Sequence, residues 1–342
     1  MLTRHSWGRL GLCIACLWSE ETGLGQCAPD SKPRISMRKT IKIIMLIALL
    51  ILSPVIVLLV QGMANGPMSE AEFETRLPVI VNGLQVQVEG DGDDTLVFLH
   101  GYPDSLEMWD KQVAFFKRDY TVARITLPGF ELQDLGERPQ YTLVQMRRII
   151  DAYIESLDKD KVTVIAHDWG AVYASQYLAS NPLVDRLVLL DVGSFGNDAY
   201  PEINMTYTAA LALAWLLPEP LGEKLVAYTA NEILGLANVD PNKPSADFRF
   251  DARMTYPYWQ LWRSILLNTK PEPVPVDDYA TAFLFLYGQD KQVWFHSQSW
   301  INEVTEKQKG EAEAMPGGHW FMLSSPELVN QSLSMWLARH PR

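Results

Sequence analysis

The stretch Lys161–Tyr173, KVTVIAHDWGAVY, decides the fold. Four apolar or β-branched residues, Val162 to Ile165, run directly into a turn, and a helix-compatible run then continues to Asn181. This order predicts a buried strand, a sharp turn and a helix. Such a turn needs small neighbours around its central side chain, because that residue is strained and the strand nearly touches the helix. The central residue is Asp168, and the small neighbours are Ala166, Gly170 and Ala171.

Strands and helices alternate on both sides of this stretch. The predicted strands are Pro78–Val81, Leu84–Glu89, Thr95–Leu99, Tyr120–Ile125, Arg186–Leu190 and Ala282–Tyr287. The first two are separated by Asn82-Gly83, which predicts a hairpin with a tight turn. Helical patterns cover Leu106–Arg118, Gln140–Leu157 and Ser325–Leu337. Strands that alternate with helices indicate a mostly parallel sheet covered on both faces, in an α/β fold.

The alternation stops between Asp191 and about Asp277. This region is rich in Pro, Tyr, Trp and Leu, with helical stretches near Thr206–Leu217, Leu221–Leu234 and Tyr258–Leu267. A helical insertion at the strand ends would form a lid over a site located there. The predicted organisation is a core of residues 78–191 and 278–342, with a helical cap of residues 192–277 inserted after the sixth strand.

Composition excludes several classes of function. The chain has 342 residues, of which 48% are hydrophobic, so it can bury a large core. After Val60 there are 22 Lys and Arg against 38 Asp and Glu, a net charge of −16. An acidic body argues against nucleic-acid binding. No residue spacing predicts a metal site, a nucleotide site or another cofactor, and all three cysteines precede residue 37.

The N-terminal region predicts a membrane anchor. Ile43–Val60 is an almost purely aliphatic run of 18 residues, long enough to cross a bilayer. Basic residues precede it and acidic residues follow it, which places the body on the extracytoplasmic side, in a periplasm, a lumen or outside the cell. Gly62-Met63-Ala64 fits a cleavage pattern, so a released form is an alternative. We interpret residues 1–36 as a disordered leader, 37–64 as a signal anchor and 65–77 as a linker.

Three motifs carry a resemblance to a known family. They are His100-Gly-Tyr-Pro103, His167-Asp-Trp-Gly170 and Gly318-His-Trp320, each at the end of a predicted strand or in a loop. From about Pro78 to Arg342 the chain resembles an α/β-hydrolase of the epoxide hydrolase and haloalkane dehalogenase branch. The resemblance implies a small apolar epoxide or a halogenated compound as substrate.

The residues themselves indicate the same chemistry. A carboxylate at position 168 is ionised at neutral pH and can act as a nucleophile without a helper. Attack on a carbonyl would give a labile anhydride, whereas attack on an sp3 carbon gives an alkyl ester. Hydrolysis of that ester needs a general base, and His319 is the candidate. The base needs an orienting carboxylate, for which Asp191 is favoured and Asp290 is the alternative.

The two carboxylates differ in their match to the family pattern. Asp191 ends the strand after the elbow, a position that some family members use. Many epoxide hydrolases place their acid in a Gly-x-x-Asp pattern after the next strand. Here the third residue after Gly288 is Lys291, and Asp290 falls one position early.

The resemblance implies further site residues. Tyr102 and Trp169 would donate backbone N–H groups to an oxyanion, with a cis peptide bond before Pro103. Phenols of the cap would protonate the departing epoxide oxygen, and we select Tyr207 and Tyr258 for that role. Substrate contacts are predicted for Trp169, Tyr256 and Trp320.

Three functions remain open on sequence. The first is an epoxide hydrolase that forms a vicinal diol, and Tyr at position 102 favours it, because dehalogenases commonly place a halide-binding Asn there. The second is a haloalkane or haloacid dehalogenase on the same machinery. The third is an inactive, membrane-tethered α/β-hydrolase that acts as a binding module.

Overall fold

The computed structural model describes residues 37–131, 140–175, 179–193, 201–234, 251–269, 282–291, 293–306 and 310–342. For residues 37–41, 43–44, 47–51 and 201–204 it describes the backbone alone. The chain divides into two units, Met1–Pro54 and Val55–Arg342. The predicted leader, residues 1–36, lies outside the described residues.

The described strands form one sheet of seven. They are β1 (Val86–Glu89), β2 (Thr95–Leu99), β3 (Thr121–Ile125), β4 (Val162–His167), β5 (Val184–Leu190), β6 (Ala282–Gly288) and β7 (Gly310–Met315). Their order is β1-β3-β2-β4-β5-β6-β7, and β1 is antiparallel to β3 while every other pair is parallel. The predicted α/β fold with a mostly parallel sheet is confirmed.

The described helices connect and cover these strands. They are α1 (Met37–Ala64), α2 (Glu70–Asn82), α3 (Asp110–Phe116), α4 (Leu143–Ser156), α5 (Trp169–Tyr173), α6 (Pro201–Leu216), α7 (Glu219–Tyr228), α8 (Tyr256–Leu266), α9 (Gln298–Glu306), α10 (Phe321–Ser324) and α11 (Pro326–Arg339).

Alternate strand residues supply the two faces of the sheet. In β2, Leu96 and Phe98 join the hydrophobic cluster that contains α3 and α11 residues, whereas Val97 and Leu99 join the cluster that contains α4. Successive side chains of a strand point to opposite faces, so a strand buried on both faces is mostly apolar along its whole length. This rule explains the mostly apolar sequences of β2, β4 and β6, and of β5 after Arg186.

The hairpin predicted for Pro78–Glu89 is wrong in its first half. Residues 70–82 form helix α2, whose first turn is capped by the Ser69 side chain accepting from the Glu72 N–H over 3.3 Å. Phe73 on this helix is fully buried in the core, which stabilises the helix in spite of Pro78 within it. The predicted linker therefore contains the start of α2. Because the first predicted strand is helical, the cap follows the fifth of the described strands and not the sixth.

The described part of the cap contains helices α6, α7 and α8, a π-helical segment over Thr229–Ile233 and a 3-10 helix over Ala252–Thr255. The last turns of α1 pack against it: a Cβ added to Gly62 would lie 2.4 Å from Leu216 and 2.9 Å from Trp259. Leu59 and Met63 also pack on the hydrophobic core. The end of α1 is therefore part of the folded body.

Within the described part of the chain, no helix combines the length and the apolar character needed to cross a membrane. The anchor expected over residues 37–64 stays a prediction.

Candidate active site

Asp168 stands at the tip of the turn between β4 and α5, with a φ of 51°. A positive φ costs a residue other than glycine about 1–3 kcal/mol, so the surroundings must hold it. The backbone packs tightly here. A Cβ added to Gly101 would lie 2.4 Å from the Asp168 carboxylate, and a Cβ on Gly170 would lie 2.5 Å from the His100 carbonyl oxygen. The turn therefore presents one carboxylate on a rigid support.

Three side chains from separate strand ends meet beside this turn. His319 Nδ1 lies 2.5 Å from Asp191 Oδ2, and His319 Nε2 lies 3.6 Å from Asp168 Oδ2. Asp191 follows β5 and is fully buried, and His319 lies in the loop after β7 and is 5% exposed. The structure therefore places the His319 imidazole between two carboxylates.

Asp290 does not take the place of Asp191. Its side chain accepts a hydrogen bond from the Gly317 N–H over 2.8 Å, and its own N–H donates to the Gly317 carbonyl over 2.9 Å. Gly317 has a φ of +112°, a conformation that favours glycine. Asp290 thus holds the loop that carries His319, while Asp191 contacts the imidazole.

Lys291 is a site residue that sequence reasoning did not assign. Its Nζ donates to Asp191 Oδ1, and its side chain is only 3% exposed. The same oxygen accepts the Gly288 N–H over 3.0 Å. The sequence did distinguish Lys291 from its neighbours, because Lys291 occupies the position at which the family pattern has an acid.

The surrounding charges set the protonation of His319. Burial disfavours the imidazolium, but the carboxylates of Asp168 and Asp191 outweigh it and raise the pKa of His319 to about 9. Burial also disfavours the Asp191 carboxylate, yet Lys291 and His319 hold the pKa of that carboxyl well below its usual value. At neutral pH the free protein therefore carries a protonated His319.

Two backbone donors lie at the tip of the turn. The Tyr102 N–H donates to Asp168 Oδ1 over 2.6 Å, and the bond between Tyr102 and Pro103 is cis, as expected. A Cβ on Gly101 would lie 2.5 Å from the backbone nitrogen of Trp169, so this nitrogen faces the same loop. Of the two nitrogens predicted for an oxyanion hole, the Tyr102 nitrogen binds the carboxylate, and the Trp169 nitrogen borders the Gly101 loop beside it.

Two other buried histidines shape the backbone around the site. His100 Nε2 accepts the Leu127 N–H over 2.8 Å, which leaves Nδ1 to donate to the Gly101 carbonyl over 2.8 Å. His167 Nε2 lies 3.0 Å from the His319 carbonyl oxygen. Burial, aided by the charge of His319, lowers the pKa of His167 to about 4, so both carry structural hydrogen bonds as neutral rings.

The cap closes a pocket over Asp168 and His319. Tyr207 and Tyr258 both line it, with their ring centroids 6.1 Å apart. Burial first, and the charge of Asp168 second, raise the pKa of both phenols above the ordinary value. Two neutral hydroxyl groups therefore share a pocket with the carboxylate.

The three residues predicted to contact substrate differ in where they lie relative to the pocket. Trp320 lines the pocket, and its indole N–H donates to Asp104 over 2.8 Å. Tyr256 is not among the described residues that line the pocket: its hydroxyl donates to the Pro128 carbonyl over 2.8 Å, and the residue is fully buried. The Trp169 ring packs edge-on against Tyr258 at 5.1 Å and is not among the described residues that line the pocket.

In the described ranges, no group of three or more His, Cys, Asp and Glu side chains is arranged to hold a metal ion. The three cysteines lie within residues 1–36, outside those ranges.

Comparison with known proteins agrees with the fold. The model of the alpha/beta hydrolase family matches residues 96–332, more than half of the chain. The chain belongs to the alpha/beta hydrolase family. This hydrolase is similar in fold to an epoxide hydrolase from Bacillus megaterium, with a TM-score of 0.55 and 18% identity over 75% of this chain and 96% of the other.

Three relatives indicate the branch of the family to which the chain is most similar in sequence. The hydrolase is 24% identical to epoxide hydrolase 1 of Caenorhabditis elegans over 281 residues, 75% of this chain and 67% of the relative. It is 31% identical to epoxide hydrolase 4 of Mus musculus over 271 residues, 73% of this chain and 75% of the relative. A haloalkane dehalogenase of Agrobacterium fabrum matches over 103 residues at 31% identity, 29% of this chain and 33% of the relative. The protein is an epoxide hydrolase-like enzyme of the epoxide hydrolase and dehalogenase branch.

Proposed function

We propose that this enzyme hydrolyses an epoxide to a vicinal diol through an ester on Asp168. One observation carries the proposal: a carboxylate beside His319 shares its pocket with the hydroxyl groups of Tyr207 and Tyr258. A carboxylate that attacks an sp3 carbon needs a proton donor for the departing oxygen, and phenols fit that requirement. The epoxide hydrolases among the relatives support the same reaction.

In the first step, a carboxylate oxygen of Asp168 forms a bond to one epoxide carbon as the bond between that carbon and the ring oxygen breaks. The ring oxygen takes a proton from Tyr207 or Tyr258. The raised pKa of both phenols keeps this proton in place until the alkoxide develops.

Ester formation then changes His319 from an acid into a base. The ester has no negative charge, so one of the two carboxylates that raise the pKa of His319 is lost. His319 gives its proton to the tyrosine that lost one, and the neutral ring can remove a proton from water. The hydroxide attacks the ester carbonyl, and backbone N–H groups of Tyr102 and Trp169 stabilise the oxyanion. Collapse breaks the bond between the acyl carbon and the alkyl oxygen. The departing oxygen takes the second proton of the attacking water, so the diol is released, Asp168 returns as a carboxylate and His319 stays protonated.

A trapping experiment tests this mechanism. His319→Gln removes the base but keeps a side chain that can hydrogen-bond Asp191, so the ester should accumulate. We expect the peptide that contains Asp168 to gain the full mass of an added small epoxide, as measured by mass spectrometry. Asp168→Asn combined with His319→Gln is the control and should gain nothing. Label on another peptide, or no label with any epoxide, would contradict the proposal.

The dehalogenase alternative can be tested with the same variant. The indole of Trp169 packs on Tyr258, and position 102 is Tyr and not the Asn that dehalogenases commonly use to bind the halide. We therefore expect no alkyl label and no halide release from 1-haloalkanes. A label from haloalkanes alone would replace the proposed substrate class.

We also propose that Ile43–Val60 anchors the enzyme in a membrane with the catalytic body on the extracytoplasmic side. The support comes from the sequence alone, in which an almost purely aliphatic run of 18 residues follows a group of basic residues. The full chain should stay in the membrane pellet after washing with alkaline carbonate. Paired substitutions Ile47→Arg and Ile51→Arg should reduce that fraction strongly, because each places a charge in the bilayer core. Release of the unaltered chain by carbonate would contradict the anchor.

A further inference from the structure

Lys291 is a buried cation for which the proposed mechanism gives no task. Its Nζ donates to Asp191 Oδ1 and lies 3.3 Å from His296 Nε2 and 4.9 Å from the centre of the Trp294 ring. It is not among the described residues that line the pocket. A buried ammonium is costly unless it is paired, and Asp191 is the carboxylate it contacts in the described structure.

The two oxygens of Asp191 have different partners. Oδ2 faces His319 Nδ1 at 2.5 Å, whereas Oδ1 accepts from Lys291 and from the Gly288 N–H. The negative charge is therefore balanced by Lys291 even when His319 is neutral. A carboxylate that is already paired stabilises an imidazolium less than a free one does.

We propose that Lys291 is a positioning residue that holds Asp191 in line with His319 and limits how strongly Asp191 favours the protonated ring. In the alkyl-enzyme, where Asp168 carries no charge, this limit lets His319 lose its proton at neutral pH. The kinetic part of this proposal rests on the proposed function, whereas the electrostatic part does not.

Several charged or titratable groups face His319 and Lys291. His319 is faced by Asp168 from the turn after β4, by Asp191 after β5, by the neutral His167 ring at 4.4 Å, and by the two cap phenols. Lys291 is faced by Asp191 and by His296. Burial, together with the charge of Lys291, lowers the pKa of His296 to about 4, so this ring accepts from Lys291 as a neutral group.

The first test uses the full-length enzyme without substrate. Its six histidines can be followed by NMR with 13C-labelled imidazole carbons, and His319→Gln identifies the His319 signal. Lys291→Met and Lys291→Gln each remove the charge, so we expect the His319 titration to move up by about one pH unit. The His296 titration should rise in the same variants. Lys291→Arg, which keeps the charge, should leave His319 near its original value. Lys161→Met, which removes a lysine whose Nζ contacts the Pro182 carbonyl, is the control and should change neither ring.

The second test measures hydrolysis of the alkyl-enzyme against pH in single-turnover experiments. The acidic limb should move to higher pH in Lys291→Met and Lys291→Gln and return in Lys291→Arg. If the wild type forms no alkyl-enzyme, the proposed function fails, and the NMR titrations still decide the role of Lys291. An unchanged His319 titration in the folded Met or Gln variant, or a shift that Arg does not reverse, would overturn the inference.

Discussion

Asp168→Asn is expected to lower epoxide turnover by about 10⁴-fold or more, because a neutral amide cannot form the ester. The fold should survive the change. Asn is one of the residues that tolerate a positive φ, and its side-chain oxygen can still accept the Tyr102 N–H. Diol formation at saturating substrate measures the loss, and thermal unfolding checks the fold.

A matched control is available in the same chain. Asp158 also has a positive φ, 52°, but it is exposed in the loop before β4. Asp158→Asn should therefore keep full turnover. In Asp168→Asn the His319 titration should fall below about 9, since one of the carboxylates that raise its pKa is gone. Turnover within tenfold of the wild type would exclude Asp168 as the nucleophile.

The double variant Tyr207→Phe with Tyr258→Phe is expected to slow epoxide opening by about 10³-fold, within the range of general acid catalysis. Both rings keep their volume and packing, but neither can protonate the alkoxide. The rate of ester formation in the His319→Gln background isolates this step from ester hydrolysis. Each single variant should lose less, because the second phenol remains in the pocket.

Tyr228→Phe is the control for this experiment. Tyr228 belongs to the cap but is 57% exposed and does not line the pocket in the described structure. Its substitution should leave ester formation unchanged. If the double variant still opens epoxides at the wild-type rate, the proton must come from another group.

The elements of the fold that could be predicted from the sequence are those whose own residues determine their structure. Thr95–Leu99 is buried on both faces, so every residue in it is apolar or β-branched, and its bounds agree with the prediction. β7 was not predicted, because its sequence GEAEAM belongs to an edge strand with partly exposed side chains. The Asn-Gly pair at positions 82 and 83 favoured a hairpin, but burial of Phe73 and the Ser69 cap favour a helix there. These contacts depend on the rest of the fold.

Some residues of the site could likewise be predicted from sequence, and others could not. The positions of Asp168 and His319 were predictable because each lies in a motif at a strand end. Choosing between Asp191 and Asp290 required the loop geometry, in which Asp290 is used to hold Gly317. Tyr256 and Tyr258 are two residues apart in one helix, and only the fold decides which of them reaches the pocket.

Gly62 gives the N-terminal helix a role in the stability of the cap. Its missing side chain lets α1 approach Leu216 and Trp259, and Trp259 is only 1% exposed with this helix in place. Proteolysis at Met63 or Ala64 would uncover apolar surface of the helices that carry Tyr207 and Tyr258. A chain cut at this point would therefore hold Tyr207 and Tyr258 less firmly than the uncut chain does, because part of the surface that packs against their helices would be lost.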